Sequence, residues 1–135
     1  MPGGKSTYLS NLFLNWLYGG AAIESALPAT LYFAAMTVAP TAAGGGTEWT
    51  DAGITRVAKT RNTTNFPTSS AALLSNATDL SFGTPVAGAT IPAIAVYDAS
   101  SGGNLLDWGV FDVAKVATAG VLFTMQIGSL RRTTS

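Results

Sequence analysis

The chain contains no cysteine and no histidine among its 135 residues. Disulfide frameworks, thiolate and imidazole metal sites, cysteine nucleophiles and histidine general bases are therefore excluded. Without those two residue types, the chain lacks side chains on which most enzyme mechanisms rely. We expect a protein that is not an enzyme and that uses no cofactor.

Charged side chains are also scarce. Seven basic and seven acidic residues cancel, and charged residues make up 10% of the chain, against roughly 25% in an average soluble domain. A nucleic-acid partner would require a basic, phosphate-neutralising surface, which this composition does not supply. Low charge together with 47% hydrophobic residues is typical of a chain that other subunits cover. We expect self-association, most commonly as a twofold dimer.

Long hydrophobic runs are missing as well. The longest one, Ala29 to Ala39, lies between two prolines and is well short of the roughly 20 residues that span a bilayer. The N-terminal sequence MPGGKSTYLS has neither the apolar stretch nor the cleavage site of a secretory signal. We expect a protein that is made in the cytoplasm and has no membrane partner.

A β-hairpin is the clearest local feature, and it lies in Ile91 to Val110, IPAIAVYDASSGGNLLDWGV. Two apolar runs flank the small, turn-forming residues of Asp98 to Gly103, which is the pattern of two strands and a loop. Asp98 is expected to hydrogen-bond the backbone two residues on, and the glycine pair supplies positive φ angles. The hairpin pattern therefore predicts a structural element and indicates no catalytic site.

One helix is predicted, over residues 8–18, because apolar residues recur there with a period of 3.6. Ser6 or Thr7 caps its start, and a glycine pair ends it. The favoured interpretation of the apolar stripe is that it plugs an open end of the β-structure. The alternative is that Phe13 and Trp16 face a partner chain. The stripe consists of Leu9, Leu12, Phe13, Trp16 and Leu17.

From residue 30 onward the apolar period is two, over about seven or eight short strands separated by glycine-rich turns. The sequence predicts an all-β fold, an antiparallel β-sandwich, jelly roll or small barrel, with one short N-terminal amphipathic helix. Thr30 to Val38 is nearly continuously apolar, as expected of a central strand that is covered on both faces. The chain is predicted to be a single domain, with a loose arm at 1–7, the sandwich at 30–127 and a tail at 128–135.

Candidate partner-binding residues lie in loops, at one strand edge and at the two ends. The glycine-rich loop Thr41 to Gly53 lacks the GK[ST] of a phosphate cradle and is predicted to be flexible. The basic cluster on the predicted strand 54–61 fits an interface rim. The charged residues near the two ends of the chain are consistent with arms that become ordered when they bind a partner. The candidates are Lys5, Glu48, Trp49, Arg56, Lys59, Arg61, Arg131 and Arg132.

Six segments carry a family resemblance. They are LSNLFLNWLYGG (9–20), LPATLYFAAMTVAPT (27–41), GGGTE (44–48), RVA (56–58), NTTNFP (62–67) and VYDASSGGNLL (96–106). In this order they resemble a phage family whose members are often labelled tail fibre proteins and which includes capsid decoration, or cement, proteins. Pro92 departs from the family pattern, since Ile91-Pro92-Ala93 replaces a polar strand entrance. This departure puts the local strand pairing in doubt.

The resemblance implies a virion protein with a jelly-roll-like sandwich on the outer surface of a tailed-phage head. There it would bind the major capsid protein and bridge neighbouring capsid subunits. The competing label, a tail-fibre or tail-tip component, implies binding to another tail protein or to a host surface. The family supplies no catalytic motif.

A glycosidase is the remaining enzymatic alternative, because a pair of carboxylates suffices for that reaction. Aspartates in hairpins and turns more commonly cap the backbone, and nothing in the sequence brings a particular pair together. The carboxylates in question are Glu48, Asp79, Asp98, Asp107 and Asp112.

Overall fold

The apolar alternation of the sequence forms antiparallel strands in the structure, which is a computed structural model. The structure describes residues 3–22, 27–69, 73–128 and 130–133. These residues form β1 (Gly3–Lys5), α1 (Thr7–Gly19), β2 (Thr30–Val38), β3 (Thr47–Glu48), β4 (Val57–Thr60), β5 (Leu73–Ser75), β6 (Leu80–Gly83), β7 (Ala89–Tyr97), β8 (Leu105–Ala117), β9 (Phe123–Met125) and β10 (Arg131–Thr133).

The main layer is a six-stranded sheet in the order β1-β8-β7-β2-β3, and β4 also pairs with β2. Two two-stranded ribbons, β5–β10 and β6–β9, complete the described sheets, and all described strand pairs are antiparallel. The predicted all-β sandwich with one short helix is confirmed.

The core fills the space between the main sheet and the two ribbons. Leu80 and Phe82 of β6 and Phe123 of β9 pack there with Phe33 and Ile94 of the main sheet. Burying a large apolar side chain contributes about 1.5–3 kcal/mol. This cluster therefore joins the two layers.

Strand β2 is buried on both faces, as its continuous apolar run predicts. Phe33 and Ala35 point into the core between the layers, whereas Ala34 and Met36 belong to a second buried cluster on the other face. Phe66, on the loop after β4, stacks on Phe33 with ring centroids 5.8 Å apart.

The predicted hairpin is formed by β7 and β8. The Asp98 carboxylate accepts the N–H of Asn104 at 2.7 Å, so it closes the loop from end to end. The prediction that Asp98 bonds two residues on is therefore wrong. Gly102 and Gly103 have φ of 61° and 77°, as predicted.

Pro92 interrupts this hairpin at its other end. Ile91 pairs with Lys115 and Ala93 with Val110, so Phe111–Ala114 of β8 oppose Pro92 alone. Proline has no N–H to donate to the ladder, and the facing strand bulges there. The doubt about strand pairing at Pro92 is thus confirmed.

The loose N-terminal arm predicted for residues 1–7 is wrong for Gly3 to Ser6. Residues Gly3–Lys5 form β1 on the edge of β8, and the Ser6 N–H donates to Leu106 O at 2.9 Å. A Cβ at Gly3 would collide with the carbonyl oxygen of Trp108. The glycines that suggested a loose arm thus permit close contact between two backbones.

The C-terminal tail predicted for 128–135 is also wrong where the structure describes it. Arg131–Thr133 form β10, which pairs with β5, and Leu130 before it is buried. A single apolar side chain anchors this segment, and one residue is too few to produce a visible period.

Helix α1 begins and ends as the sequence predicts. The Ser6 hydroxyl accepts the N–H of Leu9 at 3.0 Å, which is the bond of an N-cap. Gly20 closes the helix in the left-handed conformation with φ of 70°. Among the described residues, no helix is long and apolar enough to cross a bilayer.

Candidate functional site

Arg56 is an internal structural residue, although its charge made it a candidate for partner binding. Its side chain is 8% exposed, and its Nη2 lies 2.8 Å from Glu48 Oε1. Nε donates to the same carboxylate at 3.0 and 3.2 Å, and Nη1 donates to the carbonyls of Ala99 and Gly102 at 2.7 and 2.9 Å. The guanidinium therefore holds β3 and the hairpin loop together.

The ring of Tyr97 completes the surroundings of this guanidinium, whose central carbon lies 4.0 Å from the ring centroid. Burial raises the pKa of the Tyr97 hydroxyl, while the positive charge of Arg56 acts in the opposite direction. Arg56 and Glu48 therefore pair with each other within the fold, and their role in partner binding stays a prediction.

Trp49 is likewise packed inside the fold. It is 8% exposed, and its ring meets Phe123 edge-on at 5.6 Å between centroids. The backbone N–H of Trp49 donates to the carbonyl oxygen of Ala35 at 2.8 Å. The loop predicted to be flexible over residues 41–53 is fixed at this point, because the aromatic side chain is part of the core.

Asp51 fixes the end of the same loop. Its Oδ1 accepts the N–H groups of Gly53 and Val86 at 2.8 and 2.9 Å, and its Oδ2 accepts that of Ala87 at 2.9 Å. These backbone hydrogen bonds, the strongest being from Val86, lower the pKa of Asp51 from its ordinary 3.8. The carboxylate thus joins the loop after β3 to the segment before β7.

We expect Asp51→Asn to lower the melting temperature at neutral pH, because one amide oxygen cannot replace two carboxylate oxygens. A lowered pKa in the folded state means that the ionised group stabilises the fold above its unfolded pKa. This contribution is lost as the pH falls through the folded pKa. The melting curves of parent and variant should therefore converge in acid, and a constant difference from pH 7 to pH 2 would contradict this role.

The remaining candidates are spread over the molecule. Lys5 lies in β1 opposite Asp107, and Lys59 lies in β4 opposite Leu31. Arg61 donates from Nε to Pro28 O at 2.6 Å. Arg131 is exposed on β10, and the side chain of Arg132 lies outside the described part. The seven candidates whose side chains the structure describes do not all share one site.

The carboxylates considered for glycosidase chemistry act as structural acceptors where their hydrogen bonds are seen. Glu48 binds Arg56, Asp98 closes the hairpin loop, and Asp79 accepts the N–H of Ile127 at 2.9 Å. In the described part of the chain, no group of three or more acidic residues is placed to hold a metal ion.

The most exposed apolar feature is the second half of α1, Phe13 to Tyr18, which we name the helix tip. Phe13 and Trp16 are 41% and 46% exposed, and Tyr18 is 82% exposed. None of the thirteen residues of α1, all of them described, is buried. The first turn alone packs on the core, through Tyr8 and Leu9.

The favoured interpretation of the apolar stripe, a plug for the β-structure, is therefore wrong for Phe13, Trp16 and Leu17. Successive helix residues turn by about 100°, so the five large apolar residues of the tip span a sector of about 200°, with Asn15 as the polar residue outside it. An apolar sector of this width is normally covered by other parts of a protein or by a partner. The sequence held one further signal, since α1 contains no charged side chain for a solvent-facing side.

A second exposed apolar surface lies at the far end of the β7–β8 pair. We name it the turn patch, and it consists of Val86, Val116, Val121 and Leu122. The turn is held by the bond from Gly120 N–H to Pro85 O at 2.9 Å. Helix α1 begins at the other end of the same pair, where the Ser6 N–H bonds Leu106 O. The turn patch and the start of α1 thus lie at opposite ends of one hairpin.

An apolar cavity of about 390 Å³ lies beside the first turn of α1. Its walls are mainly aliphatic and aromatic, and they include Leu9, Leu31, Phe66, Leu74, Leu106 and Leu130. Such a lining suits the burial of apolar groups.

The chain matches a known protein family. Residues 4–133 match the family model described as Podophage GP4 fiber I protein gp80. No curated protein matches the chain. The matched range runs from β1 to β10 and so includes both ends of the fold.

Proposed function

Because the chain belongs to the Podophage GP4 fiber I protein gp80 family and is thus a phage structural protein, we propose that it is a fibre subunit on the outside of the virion. The observation that carries this proposal is the helix tip. A monomer gains nothing from leaving three aromatic rings and two leucines in water, whereas an assembled subunit buries them against its neighbour. The role is structural rather than catalytic.

The turn patch supports an assembly role in which the subunit has two neighbours. Two separate apolar surfaces, the helix tip and the turn patch, allow one copy to contact a different molecule at each surface.

Decoration of the head is the second candidate, and a separate observation favours it. The described residues form one sandwich and contain no long helix or repeated strand unit that would build a shaft. A small module of this kind suits the outer capsid surface, where it would bind the major capsid protein and bridge neighbouring subunits. Binding only to the assembled shell would stabilise that shell by mass action.

Copy number and position in purified virions test both candidates. We expect mass spectrometry to find the protein at a low ratio to the major capsid protein, with immunogold label confined to fibres. A ratio near that of the capsid protein, with label over the whole head, would favour decoration. Absence from purified virions would overturn both.

A further inference from the structure

The partner of the helix tip can be inferred from the chemistry of the tip itself. We propose that the helix tip of one copy packs against the helix tip of a second copy of this chain, in a twofold symmetric dimer. The inference rests on the proposed function, since it names what covers a surface that assembly buries. It concerns α1 alone and leaves the turn patch free for a different neighbour.

Charge is the first argument. A partner for the tip must itself present an apolar surface without charges, because a buried unpaired charge is costly. Residues Thr7–Gly19 contain no charged side chain, so a second α1 meets this requirement. The seven basic and seven acidic residues cancel over the chain, so two copies approach without net repulsion.

Area is the second argument. Aromatic side chains bury about 150–250 Å² each, so at half exposure each large tip residue leaves roughly 100 Å² in water. Five such residues give about 500 Å² for each copy, and two copies give about 1,000 Å², which is the size that a specific interface needs. One tip against a flat, polar surface would leave much of this area uncovered.

Symmetry is the third argument. In a twofold dimer the same patch serves both copies, so a contact made by Trp16 on Leu17 of the partner is made twice. The aromatic pair of the tip is already ordered, since the Phe13 and Trp16 ring centroids lie 5.8 Å apart. Asn15, the polar residue of the tip, can bond its counterpart or the water at the rim.

Sedimentation velocity of the full chain and two variants tests the dimer. We expect the parent to sediment as a dimer at micromolar concentration. The double variant Trp16→Ser with Leu17→Ser should sediment as a monomer with a nearly unchanged melting temperature, because neither residue is buried. The matched control Val86→Ser removes an exposed apolar side chain from the turn patch and should remain a dimer.

A crosslinking experiment uses the absence of cysteine from the chain. Under mild oxidation, Asn15→Cys should form a covalent dimer at low protein concentration. Thr64→Cys places a thiol on an exposed loop outside α1 and should remain a monomer on a non-reducing gel.

The outcomes separate this inference from the proposed function. A parent that is monomeric at all concentrations, or a dimer that survives the double substitution, overturns the tip-to-tip contact. Detection of the protein in virions would leave the proposed function standing in both cases. Absence from virions overturns the proposed function, whereas the sedimentation results would still decide whether the tip pairs.

Discussion

Asn76→Asp is expected to destabilise the domain by about 3–5 kcal/mol. This is the cost of leaving a buried charge without a partner. Asn76 is 2% exposed, and its Nδ2 donates to Thr78 O at 2.8 Å and Gln126 O at 3.1 Å. Its Oδ1 accepts the N–H of Leu130 at 3.0 Å. A carboxylate keeps that last bond but sets a buried negative charge against two carbonyl oxygens.

Denaturant unfolding at several pH values measures this effect. The buried aspartate would have a raised pKa, so the loss of stability should grow as the pH rises above the unfolded pKa of about 3.9 and shrink in acid.

Asn62→Asp is the matched control for this substitution. Asn62 Oδ1 accepts the N–H of Asn65 at 2.9 Å in an exposed turn, and an aspartate accepts it equally well. The free energy of unfolding of the Asn62→Asp variant should differ from that of the parent by about 0.5 kcal/mol or less. Equal effects of the two substitutions would contradict the cost assigned to a buried negative charge at Asn76.

Arg56→Ala should cost about 3–5 kcal/mol, because it leaves Glu48 and two loop carbonyls without their donor. Four of the five N–H groups of Arg56 serve a carboxylate and two carbonyls at once, and lysine cannot reproduce that planar arrangement. We therefore expect Arg56→Lys to recover only part of the loss. Chemical denaturation of the three proteins gives the free energies of unfolding.

The control for Arg56 is Arg131→Ala, which removes an exposed arginine and should change the free energy of unfolding by about 0.5 kcal/mol or less. Amide exchange gives a second measurement. Protection of the Asp98–Gly103 loop should fall in Arg56→Ala and remain in Arg131→Ala. Unchanged protection in both variants would mean that the hairpin loop is ordered without the guanidinium.

Local signals in the sequence predicted helix α1, the β7–β8 hairpin and the buried strand β2. Ser6 and Gly20 predict the two ends of α1 because capping depends on residues within one turn of the helix. Asp98 and the glycine pair predict the hairpin for the same reason. The continuous apolar run of β2 also predicts burial on both faces, since period and composition reflect the environment of each face.

The tertiary structure alone decided what each charged or aromatic side chain meets. From the sequence, Arg56 looks like a solvent-exposed residue. Its partners Glu48, Ala99 and Gly102 lie 8, 43 and 46 residues away along the chain. No local pattern encodes such distances. Asn76 bonds Gln126 and Leu130 across 50 and 54 residues for the same reason.

The helix tip shows the limit of periodicity most directly. The 3.6-residue period indicates that one side of α1 is apolar. It does not indicate how far the core extends beneath that side. Tyr8 and Leu9 lie over the core, whereas Phe13 and Trp16 continue the same stripe into solvent. The sequence determined that α1 is an apolar helix, and only the packing of the sheets decided that its second half is exposed, because the core ends beneath its first turn.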